Sequence, residues 1–136
     1  MTNELMALTK DESVDFYCSF DFSTDEGKET LFKVMSSPDK SISEYINKVI
    51  NVKDVFCDMV DLTDKDTGEL FTSPRVILLD DKGVSYQSVS GSFYKTMVKF
   101  LQIYGNPTNW DRCIPIEIKQ KETKNGRRIF TFELAK

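Results

Sequence analysis

VILLDDKGVSYQSVSGSFYKTMVKFLQIYGNPTNWDRCIPIEI, residues 76–118, contains the changes of period that decide the fold. It opens on the apolar end of a strand over residues 70–79, which Pro74 interrupts as an edge or a bulge. Asp80-Asp81-Lys82-Gly83 then makes a tight hairpin connection into VSYQSVS, a second strand. The period lengthens after that. Phe93, Met97, Phe100, Leu101 and Tyr104 fall on one side of a helix that Ser92 starts as N-cap and that Gly105 and Pro107 end. Lys95, Lys99 and Gln102 fall on the other side. Past the loop NPTNWDR, alternation returns from Cys113 to Lys121 and again, beyond Asn125-Gly126, from Arg127 to Leu134.

The register of that last hairpin follows from burial. A two-residue Asn-Gly loop sets Ile118 opposite Glu133, whereas a loop of odd length sets Ile118 opposite Phe132 and Ile116 opposite Leu134. Only the second gathers one apolar face. The expected loop therefore has three or five residues, with Ile114, Ile116, Ile118, Phe130, Phe132 and Leu134 inward and Lys119, Lys121, Ile129 and Thr131 outward.

Upstream, residues 52–62 are β-branched and alternating, and residues 64–69 form a turn before the strand at 70–79. From Val52 the order is strand, strand, strand, helix, strand, strand. This is an OB-fold-like five-stranded barrel with one inter-strand helix, in a mainly β (α+β) chain. Further upstream, DFYCSFDF, the breaker Thr24-Asp25-Glu26-Gly27 and KETLFKVMSS read as an N-terminal β-hairpin. Ser41-Ile42-Ser43-Glu44 fits a capping box for a short helix over residues 42–50. The expected organisation is a single domain: a flexible arm at 1–13, the N-terminal hairpin and helix at 14–50, and the OB-like barrel at 51–136.

Composition narrows the chemistry. The 136 residues suit one globular domain, and ten Phe, five Tyr and one Trp supply a core. The absence of histidine removes the commonest general base and metal ligand. Cys18, Cys57 and Cys113 are odd in number and widely spaced, so buried free thiols are expected rather than disulfides or a zinc site. Asp64-Lys65-Asp66-Thr67-Gly68 lacks the spacing and flanking helices of a calcium loop. Asp80 and Asp81 are adjacent turn formers. No P-loop, dinucleotide fingerprint or nucleophile elbow is present, so no enzyme activity, metal or cofactor is expected. No apolar run approaches the ~20 residues that cross a bilayer, and the N-terminus has no signal-peptide pattern, so a cytoplasmic protein without membrane contact is expected.

Charge is segregated. Residues 1–68 carry seven Lys against fifteen acids, and residues 69–136 carry eleven basic residues against seven acids. An acidic chain thus presents a basic half. Single-strand binding needs cations that follow phosphates and aromatic faces that stack on bases. Arg75, Lys82 and Tyr86 lie on the second and third barrel strands and their turn, where OB-folds bind ligands, and Lys119, Lys121, Lys124, Arg127 and Arg128 cluster in the last hairpin. Trp110 is a further stacking candidate. Each has a plainer reading: Tyr86 as a half-buried strand residue, Trp110 as a plug under the barrel, the cations as a solvated tip.

The stretch VILLDDKGVSYQSVSGSFYKTMVKFLQIYGNPTNWD, followed by IPIEIKQKETKNGRRIFTFEL, resembles the single-stranded DNA-binding proteins encoded by small phages of Gram-positive bacteria, over residues 70–134. The resemblance implies a non-enzymatic replication protein that coats and protects single-stranded DNA with little sequence specificity, in the host cytoplasm. Replication proteins and a second copy of the chain are further partners to consider. Unlike the bacterial homotetrameric type, the chain has no long Gly-rich tail ending in an acidic peptide. An alternative stays open, in which the acidic half, with Asp11, Glu12, Asp15, Asp21, Asp25, Glu26 and Glu29, mimics nucleic acid and binds a host nucleic-acid-binding protein. A structural or virion-associated domain is the third reading.

Overall fold

The computed structural model describes residues 16–135. The elements run β1 (Tyr17–Cys18), α1 (Asp25–Ser36), β2 (Lys40–Ser41), β3 (Val49–Thr63), β4 (Leu70–Asp80), β5 (Ser85–Ser88), α2 (Gly91–Tyr104), β6 (Ile114–Glu122) and β7 (Arg128–Leu134). From β3 onward this is the expected order of three strands, a helix and two strands. One sheet follows the path β2-β5-β4-β3-β6-β7, with β1 on β3, and curls into an open half-barrel of OB-like α+β type.

The long strand β3 organises the sheet because it changes partners along its length. Val49 to Val52 pair with Glu117 to Ile114 of β6, and Phe56 and Cys57 pair with β1, while β4 runs along the other edge. A bulge between Val52 and Asp54 marks the change. Its effect is visible in burial: Ile50 and Val52 face the main core, and so do Val55 and Cys57, so the inward parity flips from even to odd across the extra residue.

The unbroken apolar runs in β3 and β4 reflect a sheet covered on both faces. Val55, Cys57, Val76 and Leu78 meet Phe93, Met97 and Leu101 of α2 together with Ile116, Ile118 and Phe132. Phe56, Ile77 and Leu79 point the other way, onto Val34 and Leu31 of α1 and onto Phe16, Cys18 and Phe20. Each such side chain contributes roughly 1.5–3 kcal/mol by leaving water. All three cysteines are free thiols; burial pushes Cys18 up to about 12 and Cys57 well above its ordinary value.

The last hairpin has the odd-loop register. Ile116 pairs with Leu134 and Ile118 with Phe132, and five residues separate the last pair, Glu122 with Arg128. Gly126 takes φ 75° and donates to Thr123 O at 2.9 Å, a positive φ that glycine supplies without strain. Ile116, Ile118 and Phe132 are buried and Ile114 and Phe130 half-buried, but Leu134, at the open end of the ladder, is 47% exposed. Thr131 is not turned to solvent: its Oγ1 lies 2.7 Å from Thr96 Oγ1 of α2.

Three expectations are corrected, two upstream of β3 and one at the start of α2. The second arm of the N-terminal hairpin is the helix α1. Thr24 caps it, accepting from Gly27 N at 3.0 Å, and Asp25 and Glu26 sit in its first turn, where the helix dipole favours acids. The helix expected over 42–50 is a single 3-10 turn, Ile42–Glu44, because Val49 and Ile50 are claimed by β3; Ser41 makes no capping bond and pairs instead with Ser43 Oγ at 2.9 Å. The N-cap of α2 is Ser90, which accepts from Phe93 N, while Ser92 Oγ donates to Phe130 O at 2.8 Å. The arm at 1–13 lies outside the described residues.

Gly27 is buried where α1 crosses the chain leading into it, and a Cβ there would press on the Asp21 carbonyl and lie 2.8 Å from Phe22 Cα. Alanine gains ~1 kcal/mol of helix propensity but collides with backbone, which cannot rotate away. Gly27→Ala is therefore expected to lower stability by about 1–3 kcal/mol in urea unfolding. An unchanged midpoint would mean that residues 21–22 do not press on α1 in solution.

Candidate nucleic-acid interface

Two hairpins project from the barrel at opposite ends of β3. Beyond its pairing with β1, residues 59–63 run on with Leu70 to Pro74, and at the other end β6 pairs with β3 only as far as Glu117 and continues to Glu122 with β7. In OB-folds the loops at these two places flank the ligand surface.

The β6–β7 hairpin brings five of the sequence candidates together and grades them by availability. Lys119 Nζ is 2.6 Å from Glu117 Oε2 and 3.4 Å from Asn47 Oδ1, and the hydrogen bond to Glu117 holds its ammonium above the ordinary lysine value. Lys121 is looser, at 3.8 Å from Glu133. Lys124, Arg127 and Arg128, at the tip, are exposed and form no ion pair among the described residues.

The remaining candidates are set apart. Arg75 is clamped on Asp58, Nε to Oδ1 at 2.8 Å and Nη2 to Oδ2 at 2.6 Å, and donates through Nη1 to Met35 O at the end of α1. Tyr86 is 8% exposed, its hydroxyl donating to Asp80 Oδ2 at 2.8 Å and its ring edge-on to Tyr45 at 5.0 Å. Burial, then the hydrogen bond to Asp80, pushes its phenol far above the usual value. Trp110 donates from Nε1 to Tyr104 O, the last carbonyl of α2, and to O of its C-cap Gly105, and stands edge-on to Phe100 at 5.6 Å. Lys82 is exposed at the β4–β5 turn.

A family model described as phage single-stranded DNA-binding protein matches residues 10–135. The chain belongs to this family. Its ligand is single-stranded DNA and its setting phage DNA replication. Among curated proteins and solved structures nothing matches.

A phage single-stranded DNA-binding protein must meet phosphates and base faces. The free cations of the β6–β7 tip have the chemistry for phosphates. Sequence reasoning did not single out Phe71, 47% exposed on the β3–β4 hairpin, and read Phe130, half-buried in β7, only as an inward residue. Strand alternation puts Phe130 on the same face of β7 as Arg128. Among the described residues no cluster of three or more His, Cys, Asp or Glu is arranged to hold a metal, and no helix is long and apolar enough to cross a membrane.

Proposed function

We propose that the protein coats single-stranded DNA along the curved surface between its two projecting hairpins, with Lys124, Arg127 and Arg128 as the principal phosphate contacts. Lys119 and Lys121 extend that track, Lys82 adds a separate cation at the β4–β5 turn, Tyr86 and Trp110 stiffen the barrel, and Arg75 holds α1 to the sheet. The observation that carries the reading is the concentration, at one hairpin, of exposed cations with no ion pair among the described residues, in a chain whose family binds single-stranded DNA. Such contacts carry no base code, so binding has little sequence specificity. The protein acts without catalysis, in the host cytoplasm beside the replication machinery. No observation favours the acidic-mimic alternative.

The test is a titration of a fluorescent mixed-sequence single strand, with the same sequence as a duplex beside it, at low and moderate salt. Single-strand binding that weakens steeply with salt, at about −0.7 in log–log slope per phosphate contact, is the expected result. No binding at low salt, or equal binding to the duplex, would overturn the reading.

A further inference from the structure

The seam of the half-barrel, where β5 and its short parallel neighbour β2 face β7, contains a cleft of about 330 Å³. Ser41, Ser43, Gln87, Ser88, Val89 and Phe130 contribute to its lining. We infer that this cleft receives one nucleobase of the bound strand, stacked on Phe130 and hydrogen-bonded by the Gln87 amide. The inference rests on the single-strand-binding function and adds a base subsite to it.

Four features support it. The Phe130 ring is half-buried, held by the core on one side and lining the cleft. The Gln87 side chain, also half-buried, has no hydrogen-bond partner among the described residues, and an amide offers two donors and an acceptor to a base edge. Ser88 Oγ accepts from Ser90 N, leaving its own hydrogen for an acceptor. Finally, Arg128 lies two residues from Phe130 on the same face of β7, roughly 6.6–6.8 Å along the strand, so a base in the cleft leaves its backbone within reach of the free guanidinium. The β2 ladder, Lys40 with Tyr86 and Ser41 with Gln87, brings Ser41 and the following Ser43 to the cleft.

The test compares a fluorescent thymidine oligonucleotide with an abasic oligonucleotide of equal length, so that phosphates are kept and bases removed. Phe130→Leu, which keeps apolar bulk, is expected to weaken binding to the thymidine strand about 10-fold and leave the abasic strand unchanged. Gln87→Met, of similar shape, is expected to weaken binding to the thymidine strand several-fold and leave the abasic strand unchanged. Circular dichroism melting confirms that each variant is folded. Equal loss on both strands, or no loss on the thymidine strand with either variant, would overturn the base subsite while wild-type binding stands. Failure of the wild type to bind any single strand would instead remove the function on which the subsite rests.

Discussion

Replacing Lys124, Arg127 and Arg128 together with Glu is expected to weaken single-strand binding by about 100-fold or more at low salt, with no change in fold. The three side chains are exposed and unpaired among the described residues, so their substitution removes no internal contact and alters stability by about 0.5 kcal/mol or less. Reversing three charges also converts attraction into repulsion, with Glu122 already opposite Arg128 in the ladder. The loss should shrink as salt rises and screens both terms, and the log–log salt slope should flatten by about 2. Glutamine at the same three positions should give an intermediate loss, because it removes attraction without adding repulsion.

The comparison with Lys119 and Lys121 sharpens this. Their ammonium groups already face Glu117 and Glu133, so a phosphate must compete with a carboxylate for each. Glutamine at both is expected to cost several-fold less affinity than glutamine at the tip. If the paired lysines matter as much as the free cations, the strand runs along the outer face of the hairpin rather than over its tip. If neither set matters, the hairpin is not the phosphate site.

The hairpin was legible in the sequence because its two constraints agree. Strand alternation and the demand for one apolar face leave only the odd-loop register, and Ile118 does pair with Phe132. The strand-strand-strand-helix-strand-strand order was legible for a similar reason, since each element carries its own period and its own stop. The N-terminal third was not. Thr24-Asp25-Glu26-Gly27 is equally good as a turn and as the capped, acidic start of a helix, because the same small polar side chains bond to nearby amides in both. Aromatic alternation in DFYCSFDF tipped the choice towards a hairpin, yet among its described residues only Tyr17 and Cys18 form strand, on the edge of β3 away from β4.

The site divided along the same line. Exposure of charges at a hairpin tip follows from alternation alone. The status of Arg75 does not, because it depends on which acid lies across the sheet: Asp58, 17 residues earlier in the chain, comes opposite Arg75 only through the β3–β4 register. The positions of Gln87 and Phe130 on one cleft depend on curling the sheet until its ends face each other, which no local pattern encodes.

Arg75→Ala is expected to destabilise the protein by about 3–5 kcal/mol while leaving the single-strand affinity of the folded fraction within about 2-fold of wild type. The two side chains are only 12% and 11% exposed, and the guanidinium binds both carboxylate oxygens. Removing it strands a negative charge largely shielded from water, and also takes the Nη1 donor from Met35 O at the end of α1. Against a total stability of about 5–15 kcal/mol for a domain, that is a large fraction. Asp58→Ala should cost a similar amount for the mirror-image reason. Arg75→Met with Asp58→Leu should restore much of it, because neither charge is then left alone. Lysine at 75 keeps the charge but not the two-pronged geometry, so its stability should fall between wild type and alanine. Urea unfolding and strand titration of the same preparations separate the roles. An Arg75→Ala protein as stable as wild type but unable to bind DNA would make Arg75 a phosphate contact, and its clamp on Asp58 a resting position rather than its purpose.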